Sequence, residues 1–168
     1  MRDPFLITTP TIINVSGGRT SALMLRRYLD ANGGRLPAET HAVFANVGRE
    51  RPETLDFLVR CAEAWGVDLR WIERTPGGGF REVTPETASR DGEPLATLFR
   101  ERRYLSNPVT RFCTADGKIQ TARDFMRARG YDHWTSAVGL RYDEPSRVHK
   151  LRARDAGQWD AAGPLYGA

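Results

Sequence analysis

The apolar positions in the first part of the chain follow two alternating patterns. Residues 11–15 form a short β-branched apolar run, which predicts a buried strand. From Thr20 onwards, apolar residues recur every three or four positions, which predicts an amphipathic helix. The Asn-Gly-Gly sequence at residues 32–34 ends that helix, because Asn and Gly tolerate the left-handed backbone common at helix C-termini.

The same two patterns continue to residue 73. Residues 41–47 and 67–73 predict two further strands, and residues 51–66 predict the helix between them, with Pro52 in its first turn. This order, with short connections, is typical of a parallel sheet with right-handed crossovers. We therefore expect an α/β fold: a Rossmann-like three-layer sandwich with a mostly parallel central sheet and helices on both faces.

A polar stretch interrupts the pattern in the second half. Residues 74–94 are rich in Gly, Pro, Thr and charged residues, so we expect a loop or a flap that becomes ordered on binding. Helical patterns return at residues 95–104 and 117–129, and residues 133–140 predict a fourth strand. We expect one domain over residues 1–168, because a chain of this length supports a single core.

Composition narrows the class of protein. The chain is 40% hydrophobic and 27% charged, and it contains neither a membrane-spanning apolar run nor a secretory signal, so we expect a cytoplasmic protein without a membrane partner. Cys61 and Cys113 are far apart, which favours reduced thiols over a disulfide. The three histidines are scattered, and their spacing indicates no metal site.

Positive charge is concentrated in residues 100–154. This segment contains thirteen Arg or Lys and six Asp or Glu, a net charge of +7 by subtraction. Such an excess favours polyanionic partners, either nucleotide phosphates or nucleic acid. A solvated arginine-rich surface is the alternative explanation.

The junction between the first strand and the first helix is a candidate phosphate site. Its sequence, VSGGRTS, places two glycines ahead of a helix whose first turn has unpaired N–H groups and a partial positive charge. Ser16, Thr20 and Ser21 add hydroxyl groups, and Arg19 adds a cation. The loop matches neither GxxxxGK[ST] nor GxGxxG, and a tight turn without a ligand explains the two glycines equally well.

Four segments, in the right order, resemble the phosphoadenosine phosphosulfate (PAPS) reductase-like family of the adenine nucleotide alpha hydrolase-like superfamily. SGGRTS is similar to the pyrophosphatase-type loop, or PP-loop, of that superfamily. Residues 44–58 resemble the family's second strand and following helix, residues 111–119 its Cys-Thr…Lys segment, and residues 138–147 its Gly-Ile-Arg-x-Asp-Glu-Ser…Arg segment. Together the four segments cover most of residues 11–150.

The resemblance implies an adenine nucleotide, ATP or a relative of it, across the carboxyl ends of the parallel strands. It also implies a PP-loop enzyme, a transferase or hydrolase, that cleaves ATP between its α- and β-phosphates with Mg²⁺, adenylates an acceptor and releases pyrophosphate. A nucleic acid acceptor would explain the basic segment. The expected nucleotide-binding residues are Ser16, Gly17, Gly18, Arg19, Thr20, Ser21, Asn46, Gly48, Gly139 and Arg141. The expected catalytic residues are Arg19, Lys118, Arg141 and Arg147.

Two of the expected catalytic residues are arginines that follow the fourth predicted strand. Arg141 should emerge at the carboxyl edge of the sheet, and a Pro-Ser turn can return Arg147 towards the same anion. Two guanidinium groups can clamp the β- and γ-phosphates of ATP. Pairing of these arginines with Asp143 and Glu144 is the alternative.

Three further residues have two interpretations each. Asn46 can hydrogen-bond a base or ribose edge while Gly48 leaves room for it, but an ordinary turn after a strand explains both. Cys113 has Arg111 and Lys118 near it in sequence, which would activate a nucleophile, although we favour a small structural side chain.

The chain departs from the family pattern in two places. Many ATP-using members carry Lys-Asp where this chain has Arg19-Thr20, which removes a carboxylate that could bind the metal. PAPS reductases use a cysteine near the C-terminus, and this chain has no cysteine after Cys113, so we expect no PAPS reduction. Similar proteins continue beyond the final PLYGA, which is consistent with a short form or a truncated chain. A PAPS-like sulfonucleotide-handling protein and a nucleotide-binding module without turnover are the alternative functions.

Overall fold

The computed structural model describes residues 3–107 and 109–140, together with the single positions 145 and 149. From β1 to β3, strands and helices alternate as the sequence predicts, and a further strand, several helices and a last strand follow. The elements are β1 (Thr11–Asn14), α1 (Arg19–Ala31), β2 (Thr40–Asn46), α2 (Pro52–Trp65), β3 (Leu69–Arg74), β4 (Phe80–Val83), α3 (Glu93–Arg102), the short α4 (Phe112–Thr114), a π-helical segment (Ala115–Gln120), α5 (Thr121–Ala128) and β5 (Thr135–Val138).

The strands form one mixed sheet in the order β4-β3-β2-β1-β5. β1 pairs in parallel with both β2 and β5, and β2 pairs in parallel with β3. Only the β3–β4 pair of this described sheet is antiparallel. An α/β fold with a mostly parallel sheet is therefore confirmed.

The polar stretch at residues 74–94 is not one continuous loop, and that expectation is wrong. Residues 80–83 form β4, which pairs with β3 in a register that places Phe80 opposite Arg74. The connecting turn contains Gly77, Gly78 and Gly79, all with positive φ, a backbone that favours glycine. Composition averaged over the whole stretch concealed a strand of only four residues.

The helical region after residue 104 also begins earlier than predicted. The expected helix at residues 117–129 is preceded by α4, and its first part is π-helical rather than α-helical. α5 then continues from Thr121 to Ala128. A π-helical segment carries an extra residue per turn, which the spacing of apolar residues does not reveal.

Two apolar clusters pack against the sheet. Neighbouring residues of one strand, such as Phe44 and Val43, belong to different clusters, because successive strand side chains point to opposite faces. The first cluster joins the strands to α1 and α2 through Ile13, Phe44, Trp71, Leu25, Leu29, Leu55 and Leu58. The second joins them to α5 through Ile12, Val43, Ile72, Ala122, Phe125 and Met126.

None of the helices in the described part of the chain combines the length and the apolar character needed to cross a bilayer.

His41, near the start of β2, lies in an aromatic environment beside the second cluster. Its ring centroid is 5.6 Å from that of Phe125 and 5.9 Å from that of Tyr131. Its Nε2 atom is buried and has no hydrogen-bond partner among the described residues. Burial lowers the pKa of His41, the positive charges of Arg129 and Arg70 lower it further, and the nearby acidic groups oppose this only in part.

The lowered pKa of His41 predicts a loss of stability in mild acid. Below the unfolded-state pKa of about 6.5, the unfolded chain binds more protons at this residue than the folded chain does. The stability contribution is therefore complete above that pH and decreases as the pH falls. We expect the free energy of unfolding, measured with urea, to decrease from about pH 7 to about pH 5. His41→Phe should flatten this decrease, and identical pH profiles for the two proteins would contradict it.

Candidate functional site

The carboxyl ends of the parallel strands meet at one edge of the sheet, and the loop after β1 lies at its centre. β1 has β2 on one side and β5 on the other, so the strand order reverses at β1. In open α/β sheets, ligands bind at the carboxyl edge where such a reversal opens a crevice. The loop VSGGRTS is at that position.

Gly139, which follows β5, lies directly against the start of α1. A Cβ atom added to Gly139 would lie 3.0 Å from the Cα and 3.2 Å from the backbone nitrogen of Ser21. Any larger residue at position 139 would push into the first turn of the helix. The structure thus brings Gly139 together with the loop, as the sequence predicts for the two segments.

Ser21 holds the loop in shape. Its hydroxyl donates to the carbonyl of Gly18 at 2.9 Å and accepts from the backbone N–H of Ser16 at 3.0 Å. The hydroxyl of Ser16 also donates to the Oγ atom of Ser21, at 3.1 Å. Ser21 is buried and Ser16 is exposed. The hydroxyl of Ser21 therefore stabilises the backbone of the loop, whereas Ser16 is exposed to solvent.

The two glycines of the loop have different structural roles. Gly17 has φ +81°, and a Cβ there would overlap the Cγ2 atom of Thr54 in α2. Gly18 has an ordinary φ of −88°, and among the described residues a Cβ there would meet only the Ser16 hydroxyl, at 3.9 Å. The fold therefore requires glycine at position 17 and does not require it at position 18.

The first turn of α1 is open to an acceptor from outside the helix. Gly18 is the N-cap residue, and no side chain in the described part of the chain caps this end. The first helical hydrogen bond runs from the Ala22 N–H to the Gly18 carbonyl at 3.1 Å, so the N–H groups of residues 19–21 have no acceptor within the helix. Arg19 is exposed and Thr20 is half-buried at the same end. An anion is the natural partner for this combination.

Asn46 does not present its amide to solvent as the sequence suggested. It is 1% exposed, and its Nδ2 donates to Glu73 Oε1 at 2.7 Å and to the carbonyl of Ser89 at 2.8 Å. Its Oδ1 accepts the backbone N–H of Gly48 at 3.0 Å. Both donor hydrogens are used inside the protein, so the structure assigns this side chain to an internal network.

Gly48 is close to the protein's own backbone rather than to open space. It has φ +77°, and a Cβ there would lie 2.9 Å from the Cα of Gly92 and 2.8 Å from the Ser89 hydroxyl. Both neighbours belong to residues 84–92, which connect β4 to α3 and which we call the strap. The room expected at Gly48 is filled by the strap.

A buried carboxylate joins the strap to the sheet. Glu73, in β3, is fully buried, and its Oε1 accepts the Ser89 N–H at 2.6 Å in addition to the Asn46 amide. Its Oε2 accepts two hydrogen bonds from Arg81 in β4, at 2.8 and 3.1 Å. A buried charge is tolerated when it is paired and hydrogen-bonded in this way. Sequence reasoning missed this network, although Glu73 shares a strand face with the buried Trp71.

Lys118 reaches the same edge of the sheet from the π-helical segment. Its Nζ lies 2.9 Å from Glu50 Oε1, and Glu50 follows β2. The preceding Gly117 packs near Val47 and Leu98, at 3.6 Å from an added Cβ in each case. Lys118 is thus placed beside the loop after β2, with Glu50 neutralising its charge.

Cys113 is half-buried, and its sulfur accepts a hydrogen bond from the Ser106 hydroxyl at 3.0 Å. The arginines expected to clamp the phosphates, Arg141 and Arg147, lie outside the described residues, as do Asp143 and Glu144. Within the described residues, no group of three or more His, Cys, Asp or Glu side chains is arranged to hold a metal ion.

Removing the charge of Glu73 should loosen the strap. Glu73→Gln keeps the size of the side chain but loses the acceptor for Arg81 or for Ser89. We expect the free energy of unfolding to fall by about 2 kcal/mol, since hydrogen bonds to charged groups contribute about 1.5–3 kcal/mol and half-exposed Arg81 regains hydration. Hydrogen exchange at the Ser89 amide should accelerate.

Glu82→Gln is the matched control for this prediction. Glu82 lies on β4 and is partly exposed, and it pairs with Arg129 at 2.7 Å and with Arg70 at 3.3 Å. Surface pairs of this kind contribute about 0–1 kcal/mol, so this variant should be affected less and its strap should remain protected. Equal losses in the two variants would show that burial of Glu73 has no special role.

One curated protein is similar in sequence to this chain. No protein-family model matches the chain, and no solved structure matches it significantly. Over 146 residues, the chain is 25% identical to a protein described as "Uncharacterized nin region protein ORF290" of Escherichia phage lambda. The match covers 82% of this chain and 50% of that protein. The chain therefore spans about half the length of the curated relative that it matches.

Proposed function

We propose that this chain is a PP-loop enzyme that binds ATP, cleaves it between the α- and β-phosphates, transfers AMP to an acceptor and releases pyrophosphate. The observation that carries the proposal is Gly18. Its backbone is unstrained and, among the described residues, the space beside it is open, so the described fold does not require glycine there. A glycine at the N-cap of α1 is compatible with the helix start, and it also leaves the backbone N–H groups accessible to an approaching anion.

The location of Gly18 supports a nucleotide in preference to a small free anion. The loop lies where the strand order reverses, and a ligand there extends along the carboxyl edge of the sheet. We propose that the architecture around it is a Rossmann-like three-layer sandwich, supported by separate clusters with α1 and α2 and with α5. A phosphate chain starting at α1 then runs towards Gly139 or towards Lys118.

The side chains at this edge suit the stabilisation of negative charge on the phosphates. The N–H groups of residues 19–21 and the guanidinium of Arg19 would bind the phosphates and hold them for attack by the acceptor. Lys118 would exchange its partner Glu50 for a phosphate oxygen. Arg141 and Arg147 remain the expected clamp on the departing pyrophosphate.

Two expected contributions have no support from the described residues. Mg²⁺ finds no cluster of protein ligands there, so we assign it no ligand, and the roles of Arg19 and the helix N-terminus do not depend on it. Asn46 and Gly48 act through the strap. The amide of Asn46 is hydrogen-bonded within the protein, and the space beside Gly48 is filled by the strap. The base of the nucleotide would lie against the strap rather than on Asn46.

Gly18→Val should abolish ATP binding and leave the fold intact. A side chain at position 18 would meet open space among the described residues but would occupy the space of a phosphate next to the N–H groups of α1. Calorimetric titration with ATP should show no binding, while the thermal midpoint stays near that of the wild type. If the Gly18→Val variant folds and binds ATP with unchanged affinity, the loop is a turn and not a phosphate site.

Gly17→Val is the contrasting control, because it should destabilise the fold in addition to removing the ligand. Its side chain would overlap Thr54, and φ +81° is unfavourable for valine. The two adjacent substitutions therefore separate folding from binding.

Arg19→Gln should lower turnover more than it lowers ATP affinity. Loss of one preorganised charge that stabilises the transition state costs about 10²-fold in rate. Radiolabelled ATP, with pyrophosphate and AMP separated, measures the effect. Arg35→Gln is the matched control, since Arg35 is exposed in the connection after α1, at the opposite edge of the sheet. Tight ATP binding without pyrophosphate release would favour a binding module, and preference for 3′-phosphorylated nucleotides would favour a PAPS-like ligand.

A further inference from the structure

The connection between α3 and α4 is a compact loop that exposes apolar side chains. We call residues 103–107 and 109–111 the basic loop. Asn107 Oδ1 accepts the N–H groups of Val109 and Thr110 at 2.9 and 2.8 Å, which closes the tip. At its base, the ring of Tyr104 packs edge-to-face on Phe112, with centroids 5.0 Å apart. These contacts hold the loop in one shape.

The apolar residues of the basic loop are turned outwards. Tyr104 is 50% exposed, Leu105 70% and Val109 91%, as measured among the described residues. Because Tyr104 contacts Phe112 edge-to-face at an interplanar angle of 78°, its ring is anchored while half of its surface remains accessible. An anchored and exposed aromatic ring is suited to stacking on a planar ligand.

Three exposed arginines lie close in sequence to Tyr104 or to its neighbour Phe112. Arg100, Arg103 and Arg111 are exposed, and no carboxylate of residues 3–107 and 109–140 lies within 4.0 Å of their guanidinium groups. The acidic neighbours are already paired with other residues. Glu101 pairs with Arg74 at 2.8 Å, and Asp116 pairs with Arg102.

Arg103 occupies a position where glycine would be more stable. It ends α3 with φ +60°, and it is the one non-glycine residue of the described chain with a positive φ. Glycine is the usual residue in this left-handed conformation at a helix end. The chain thus carries a charged side chain at a position where glycine would give the more relaxed backbone.

We propose that the basic loop binds single-stranded nucleic acid. An unpaired base would stack on Tyr104, and the backbone phosphates on either side would contact Arg100, Arg103 and Arg111. Exposed aromatic rings between cations are the arrangement by which proteins bind single strands without reading their sequence. A duplex has no unpaired base to offer Tyr104. The idea that this nucleic acid is the acceptor of AMP rests on the proposed function. Its binding to the basic loop does not.

The test uses the full chain and a fluorescein-labelled oligothymidylate, followed by fluorescence anisotropy. Wild-type affinity should fall steeply between about 50 mM and about 200 mM salt, as phosphate contacts release counterions. Tyr104→Leu keeps an apolar contact with Phe112 but removes the stacking surface, and it should weaken binding about tenfold, the effect of one base–aromatic contact.

Arg103→Gly separates binding from folding. It should lower affinity and reduce the slope of log K against log salt by about 0.7, the contribution of one single-strand phosphate contact. The same variant should have a higher thermal midpoint than the wild type, because glycine adopts φ +60° without strain. Arg35→Gln, which removes a charge from the opposite edge of the sheet, should change neither affinity nor slope.

Two outcomes would overturn the proposal. Wild-type affinity in both Tyr104→Leu and Arg103→Gly would exclude the basic loop as the contact surface. Binding of a duplex of the same length as tightly as the single strand, with Tyr104→Leu unaffected, would show a general electrostatic surface instead.

The same assay distinguishes this inference from the proposed function. Gly18→Val should bind the oligonucleotide as the wild type does, since residue 18 is not in the basic loop. If the wild type binds the oligonucleotide but not ATP, the proposed function fails and this inference stands. If it binds and cleaves ATP but not the oligonucleotide, the reverse holds.

Discussion

The arrangement of the candidate site depends on the hydrogen bonds that the buried carboxylate of Glu73 accepts. It accepts hydrogen bonds from β2, β4 and the strap, through Asn46, Arg81 and Ser89. β2 is distant in sequence from β4 and the strap, and a buried anion that needs several donors holds them together. The strap consequently covers the end of β2, and among the described residues it leaves the part of the sheet edge near β1 and β5 uncovered.

Local periodicity explains how much of the fold could be predicted. β1, β2, β3 and β5 agree with the predicted strands to within two residues at each end, and α1 and α2 to within one, because each carries its apolar pattern within its own sequence. The carboxyl-edge location of SGGRTS follows from the same order of elements. β4 escaped prediction because it is short and is stabilised by pairing with β3, not by a pattern of its own.

The details of the site depend on contacts that the sequence does not display. Asn46 was predicted to face a ligand, but its partners Glu73 and Ser89 are 27 and 43 residues away along the chain. The distinction between Gly17 and Gly18 depends on Thr54, a residue of the next helix. Side-chain roles of this kind are decided by long-range packing, whereas strand and helix positions are largely decided by neighbours in sequence.

The π-helical segment gives Lys118 a position that an α-helix would not. An α-helix advances about 100° per residue, so deletion of Ile119 or Gln120 would restore regular geometry and rotate the residues before it, Lys118 among them, by about that angle relative to α5. Lys118 would then turn away from Glu50, with no loss of hydrogen bonding along the helix. A single-codon deletion could therefore remove a charge from the sheet edge while leaving every amino acid type at that edge unchanged.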